Sequence, residues 1–141
     1  SGIATSCVEL AVEYAKQREQ FGRVIGSFQA IKHMLADMHT EAVSLHNFCE
    51  AVAGELDELP HTEAELSAAA LKAHAATVAV SVCEGAIQVH GGIGFTAEAD
   101  IHWYYKRALA LRAWYGDSTE LEEEVGALVL DQATARTVER V

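Results

Sequence analysis

The sequence predicts an all-α fold, a four-helix bundle with an additional C-terminal helix packed on it. Three observations carry this reading. Half of the 141 residues are apolar, and alanine, leucine and glutamate recur throughout, a mix that loses little conformational freedom on entering a helix. Apolar residues return at helical spacing over long stretches, and no two-residue alternation of the kind a strand needs stands beside them. The stretches are separated by short breaks at Gly22–Gly26, Glu58–His61, Gly91–Thr96 and Gly116–Asp117, and long helices joined by short loops are antiparallel neighbours. The chain is expected to form a single helical domain over residues 1–141 and, opening on Ser1, to be a piece of a larger protein.

The first helix runs through Ile3, Cys7, Leu10, Ala11, Tyr14 and Arg18. Ser27 is its successor's expected N-cap, because a serine oxygen there can accept from a free backbone N–H. The second helix then places Phe28, Ile31, Leu35, Met38, Ala42, Leu45, Cys49, Val52 and Leu56 on one stripe, about 45 Å long at ~1.5 Å per residue. Pro60 is expected to stop it. Thr62 and Glu65 read as a capping box for the third helix. That helix is apolar nearly all the way round, so it is expected to be the most buried element, with Val78 and Val82 inside. Thr96 is expected to cap a fourth helix from Ala97 to about Tyr115, and Asp117 a fifth from Ser118 to about Arg136.

A net charge of −11 excludes a face built for nucleic-acid phosphates. No apolar run reaches the ~20 residues of a membrane span by inspection, and the N-terminus lacks a basic signal region. Cys7, Cys49 and Cys83 are far apart, and free thiols in a reducing, cytoplasmic setting are expected. His33 and Asp37 stand one helical turn apart with His39 and His46 following, yet nothing completes a metal site.

Two segments carry chemistry. Tyr14-Ala-Lys-Gln-Arg18-Glu-Gln-Phe21-Gly22 reads either as a helix end with a basic residue near its negative pole, or as an anion site. In the second reading Arg18 offers a planar fork to a phosphate and Phe21 a flat ring to a base. Gln88-Val89-His90-Gly91-Gly92-Ile93-Gly94-Phe95-Thr96 reads either as a glycine cap followed by a loop, or as bare backbone against which a ligand can lie.

Together these segments, with Phe28-Gln29, Leu35-Ala-Asp-Met38, Glu98 and Arg107, resemble the acyl-CoA dehydrogenase family's C-terminal domain over roughly residues 4–130. The resemblance implies a helical bundle that contributes to an FAD site and to an oligomer interface. It implies that Arg18 pairs with the FAD diphosphate, that Phe21 lies near the adenine, and that Phe28 and Gln29 touch the cofactor at the start of the long helix. It further implies that Gln88, Val89, His90, Gly91 and Gly92 cradle the adenosine and diphosphate. Ser118, standing where the family has threonine, joins the cofactor-binding positions. The implied activity is oxidation of an acyl-CoA thioester to its 2,3-enoyl form, with electrons passed to an electron-transferring flavoprotein, in a homo- or hetero-oligomer.

The sequence departs from the family at its base. The glutamate that removes the substrate's α-proton falls on Gly116, so no catalytic residue is assigned. Asp117 offers a shorter carboxylate one position on, or a plain helix cap. Glu120 replaces a glutamine that contacts FAD in the family, or faces solvent. Two readings follow: a domain of an acyl-CoA-oxidising flavoenzyme whose base lies elsewhere, or a non-catalytic subunit that completes a partner's FAD site.

Overall fold

The computed structural model describes the backbone of residues 1–138 and the side chains of residues 1–131. Five helices account for most of it: α1 (Gly2–Gln17), α2 (Gln29–Glu55), α3 (His61–His90), α4 (Ile101–Arg112) and α5 (Ser118–Val138). Between α1 and α2 lie β1 (Glu19–Gln20) and β2 (Arg23–Val24), which pair antiparallel with Glu19 opposite Val24 and Gln20 opposite Arg23. This hairpin was read as plain loop from the sequence. Its strands are two residues each, too short for any alternation to register. Phe21 and Gly22, both at positive φ (53° and 78°), form the turn that a two-residue hairpin requires. Short 3-10 turns follow at Ile25–Ser27 and Gly91–Phe95.

The core is built around α3, which packs against α1, α2, α4 and α5. Ten of its residues are buried, Val78 and Val82 among them. Against them α1 sets Ala4, Cys7, Val8, Ala11 and Ala15, small side chains that let the two helices approach closely. By length and composition the α3 segment would also pass as a membrane span. Its place here, with four helices around it, is that of a bundle's core helix, the reason its apolar residues form no single stripe. Cys7 and Cys83 meet across the α1–α3 contact with sulfurs 3.4 Å apart, both fully buried, while Cys49 is half-buried on α2. The bond to Cys83 and burial both push the Cys7 thiol up, so it stays protonated at neutral pH.

Several helix ends differ from expectation. Phe28, not Ser27, occupies the cap of α2, because the Ser27 hydroxyl donates instead to the Val24 carbonyl (2.7 Å) and closes the 3-10 turn. Pro60 does not stop α2, which has already ended at Glu55; its fixed φ instead sets up the first turn of α3. The helix therefore starts at His61, and Thr62 and Glu65 are already inside it, with Glu65 paired to His61 (3.2 Å) rather than to Thr62. The fourth helix is shorter than expected: Thr96 turns its hydroxyl onto the Ile93 carbonyl (2.8 Å), and α4 begins only at Ile101. Asp117 does cap α5. Its Oδ1 accepts from the Thr119 N–H (3.0 Å), while Glu120 Oε2 accepts from the Asp117 N–H (3.3 Å), a reciprocal box.

Candidate functional site

The end of α1, the hairpin, the start of α2 and the end of α3 with its 3-10 turn enclose a cavity of about 670 Å³. Arg18 ends α1 because its backbone turns extended (φ −74°, ψ 122°). Its N–H still donates to the Tyr14 carbonyl (2.9 Å), and its own carbonyl accepts from the Ile25 N–H (2.7 Å), so the main chain is held at both ends. Arg18 lines the cavity, exposed and without an ion pair among the described residues. Phe21 is held at a backbone angle that bulky residues rarely adopt, 93% exposed, edge-on to Phe28 at 6.2 Å. The Arg23 guanidinium sits 4.0 Å over the Phe28 ring. The cavity thus has an aromatic and cationic rim, with Arg18 among its lining residues.

The opposite wall is the end of α3. Gly91 ends the helix at φ +63° and donates to the Gln88 and Ile87 carbonyls. Gly92 and Gly94 follow closely, and the three glycines differ in what the fold asks of them. A Cβ at Gly94 would lie 2.9 Å from the Ile87 carbonyl oxygen, so packing demands its absence. Gly91 needs its left-handed backbone. At Gly92 the φ is ordinary, and a Cβ would meet nothing within 4 Å. The fold itself imposes no glycine at position 92.

Of the residues expected to bind a cofactor, Arg18, Phe21, Phe28, Val89, His90, Gly91 and Gly92 line this one cavity. Gln29, Gln88 and Ser118 do not. Gln29 points to His33 (3.5 Å), Gln88 is exposed beside the turn, and Ser118 is buried at the start of α5. The Ser118 hydroxyl has no hydrogen-bond partner among the described residues. Lining residues not singled out beforehand include Tyr14, Gln20, Ile25 and Ile31. Arg23 on the rim was also missed, since only the hairpin brings it back over Phe28. Among the described residues no carboxylate lines the cavity. Among the described residues no three His, Cys, Asp or Glu side chains come together to hold a metal ion.

The turn before α5 leaves little room for a side chain at position 116. Tyr115 and Gly116 both have positive φ (58° and 104°), and a Cβ at Gly116 would come within 3.2 Å of the Leu121 side chain. The Lys72 ammonium donates to the Arg112 and Gly116 carbonyls (3.2 and 3.4 Å), fixing this turn to α3. The nearby carboxylates are committed to the helix end. Asp117's bond from the Thr119 N–H, helped by Arg112, holds it below the usual carboxylate range. Such a group is ionised but a weak proton acceptor.

The family model for the acyl-CoA dehydrogenase C-terminal domain matches residues 1–129. Acyl-CoA dehydrogenase IpdE2 of Mycobacterium tuberculosis is 45% identical over 107 residues, covering 76% of this chain and 31% of that protein. Butyryl-CoA dehydrogenase of Megasphaera elsdenii superposes with a TM-score of 0.84 at 32% identity, over 92% of this chain and 33% of that one. The FAD complex of PigA does so with a TM-score of 0.81 at 26% identity, over 91% and 33%. The chain therefore belongs to the acyl-CoA dehydrogenase family as its C-terminal domain, a family of FAD-dependent flavoproteins. It spans about a third of the length of these relatives.

Proposed function

We propose that this chain is the C-terminal FAD-binding and oligomerisation domain of a flavoenzyme that oxidises acyl-CoA thioesters to 2,3-enoyl-CoA. The observation that carries the reading is Gly92, open and conformationally unconstrained in the same cavity as the unpaired Arg18. In this reading the Arg18 guanidinium makes charge-assisted bonds to the diphosphate. The Phe21 and Phe28 rings take the adenine end, and the backbone from Val89 to Gly92 closes on the other side. FAD, when bound, supplies the acceptor for the substrate's β-hydride. An electron-transferring flavoprotein then takes the electrons, and a second subunit, like or unlike, shares the site.

Removal of the α-proton needs a positioned carboxylate, worth typically 10²–10⁴ in rate. Gly116 has none, and Asp117 and Glu120 are engaged at the helix end. In the proposed enzyme the base therefore comes from outside these residues. The same observation favours a second reading, a non-catalytic subunit that completes a partner's FAD site. Dye reduction with a panel of acyl-CoAs tests both. The isolated chain is expected to give no turnover, and turnover by it overturns the claim that its site is incomplete. Turnover by the complete protein purified alone supports the first reading; turnover only after co-expression with a homologous subunit supports the second.

A further inference from the structure

His90 brings to the cavity a side-chain donor that the glycine backbone does not supply. Its ring lies against Tyr14, centroids 4.4 Å apart and planes 22° from parallel. Its Nδ1 lies 2.8 Å from the Ala86 carbonyl oxygen. A carbonyl only accepts, so Nδ1 carries the hydrogen and Nε2 of the neutral ring is bare. The stack and the hydrogen bond fix the ring's plane and its rotation. Nε2, on the far side of the ring from Ala86, has no partner among the described residues, and His90 lines the same cavity as Arg18.

The charges around it are one-sided. Tyr14 and Arg18 face the cavity from α1, and Gln20 from the hairpin, with Arg23 on the rim above Phe28. From the turn before α2 and from α2 itself come only Ile25, Phe28, Ala30 and Ile31; from the end of α3 and its turn only Val89, Gly91, Gly92 and Ile93. In a chain with 21 acidic and 10 basic residues, a cavity of this size with no carboxylate is selective. Among the described residues no acceptor faces Nε2. An anionic ligand would supply one.

We propose that His90 is the second anion-binding side chain of this cavity, its Nε2 taking a proton from solvent as a diphosphate ligand binds and donating it to a phosphate oxygen. Binding is then coupled to proton uptake, because an anion within about 4–6 Å favours the imidazolium. The inference rests on the diphosphate reading of the cavity given above.

The test is calorimetric titration of FAD into the deflavinated complete protein, at about pH 6 and about pH 8, in two buffers of different ionisation enthalpy. FAD is chosen because its diphosphate is a diester; a terminal phosphate itself titrates near pH 6 and would mimic the signal. The native protein is expected to take up protons on binding and to bind about tenfold more tightly at the lower pH, one unit of linked shift. The His90→Gln variant, a donor without a charge change, is expected to bind with no buffer dependence, and His90→Leu to bind more weakly at both pH values. Binding by the native protein without proton uptake, or uptake retained in His90→Gln, overturns the proposal. If Arg18→Ala loses FAD while the His90 variants behave as native, the diphosphate reading stands and this inference falls. If Arg18→Ala binds as native, or the native protein does not bind FAD, both fall.

Discussion

At the scale of single residues, three glycines in one short turn look alike in the sequence and differ in space. Gly94 is constrained by the Ile87 carbonyl, Gly91 by its backbone angle, and Gly92 by nothing in the fold. Gly94→Ala should therefore destabilise the protein by about 1–3 kcal/mol through overpacking, seen as a lower midpoint in urea. Gly92→Leu should leave that midpoint unchanged and cost the complete protein its FAD. A Gly92→Leu protein that keeps full flavin would remove the main argument for the cradle. The motif was legible in the sequence, but the division of labour was not, since each role depends on an atom far along the chain or on none. Arg18 and Phe21 were legible because a helix end followed by glycine is a local pattern. Arg23 was not, because its place over Phe28 depends on a hairpin turn only two residues long. The resemblance implied a missing carboxylate at Gly116; that its backbone would strain any side chain emerges only from φ +104° and the Leu121 contact.

At the scale of elements, helix bodies were legible and helix ends less so. Periodicity sums over many residues, whereas a cap depends on one side chain choosing among several neighbouring partners. Ser27 and Thr96 chose carbonyls in their own turns, and Pro60 opened a helix that its position suggested it would close. Asp117 behaved as expected and gives a pH-dependent prediction. Its pKa is depressed in the folded state, so the cap's contribution is present above the usual unfolded value near ~3.9 and is lost as pH falls through the lower folded value. Asp117→Ala should lower the melting temperature at neutral pH, and the gap from the native protein should close in strong acid. A gap that persists unchanged to the lowest accessible pH would contradict the cap.

At the scale of the whole molecule, everything hangs on α3. It touches every other helix, and Val82 at its centre is fully buried. Val82→Asp would strand a charge in that core, at a cost on the order of 5 kcal/mol, comparable with the whole stability of a small domain. Loss of the helical circular dichroism is the expected result, and a folded Val82→Asp protein would contradict the packing described here. The same helix delivers His90 and the glycine turn to one end of the bundle, where α1 delivers Arg18. Two sequence segments some seventy positions apart thus line one cavity. The measurement that tests this most directly is the flavin affinity of the complete protein carrying Arg18→Ala. Charge-assisted contacts to a phosphate are worth about 1.5–3 kcal/mol, so affinity should fall ten- to hundredfold with the fold intact. An Arg18→Ala protein that still copurifies with stoichiometric FAD, at native affinity, would contradict the account of the cavity as a diphosphate site.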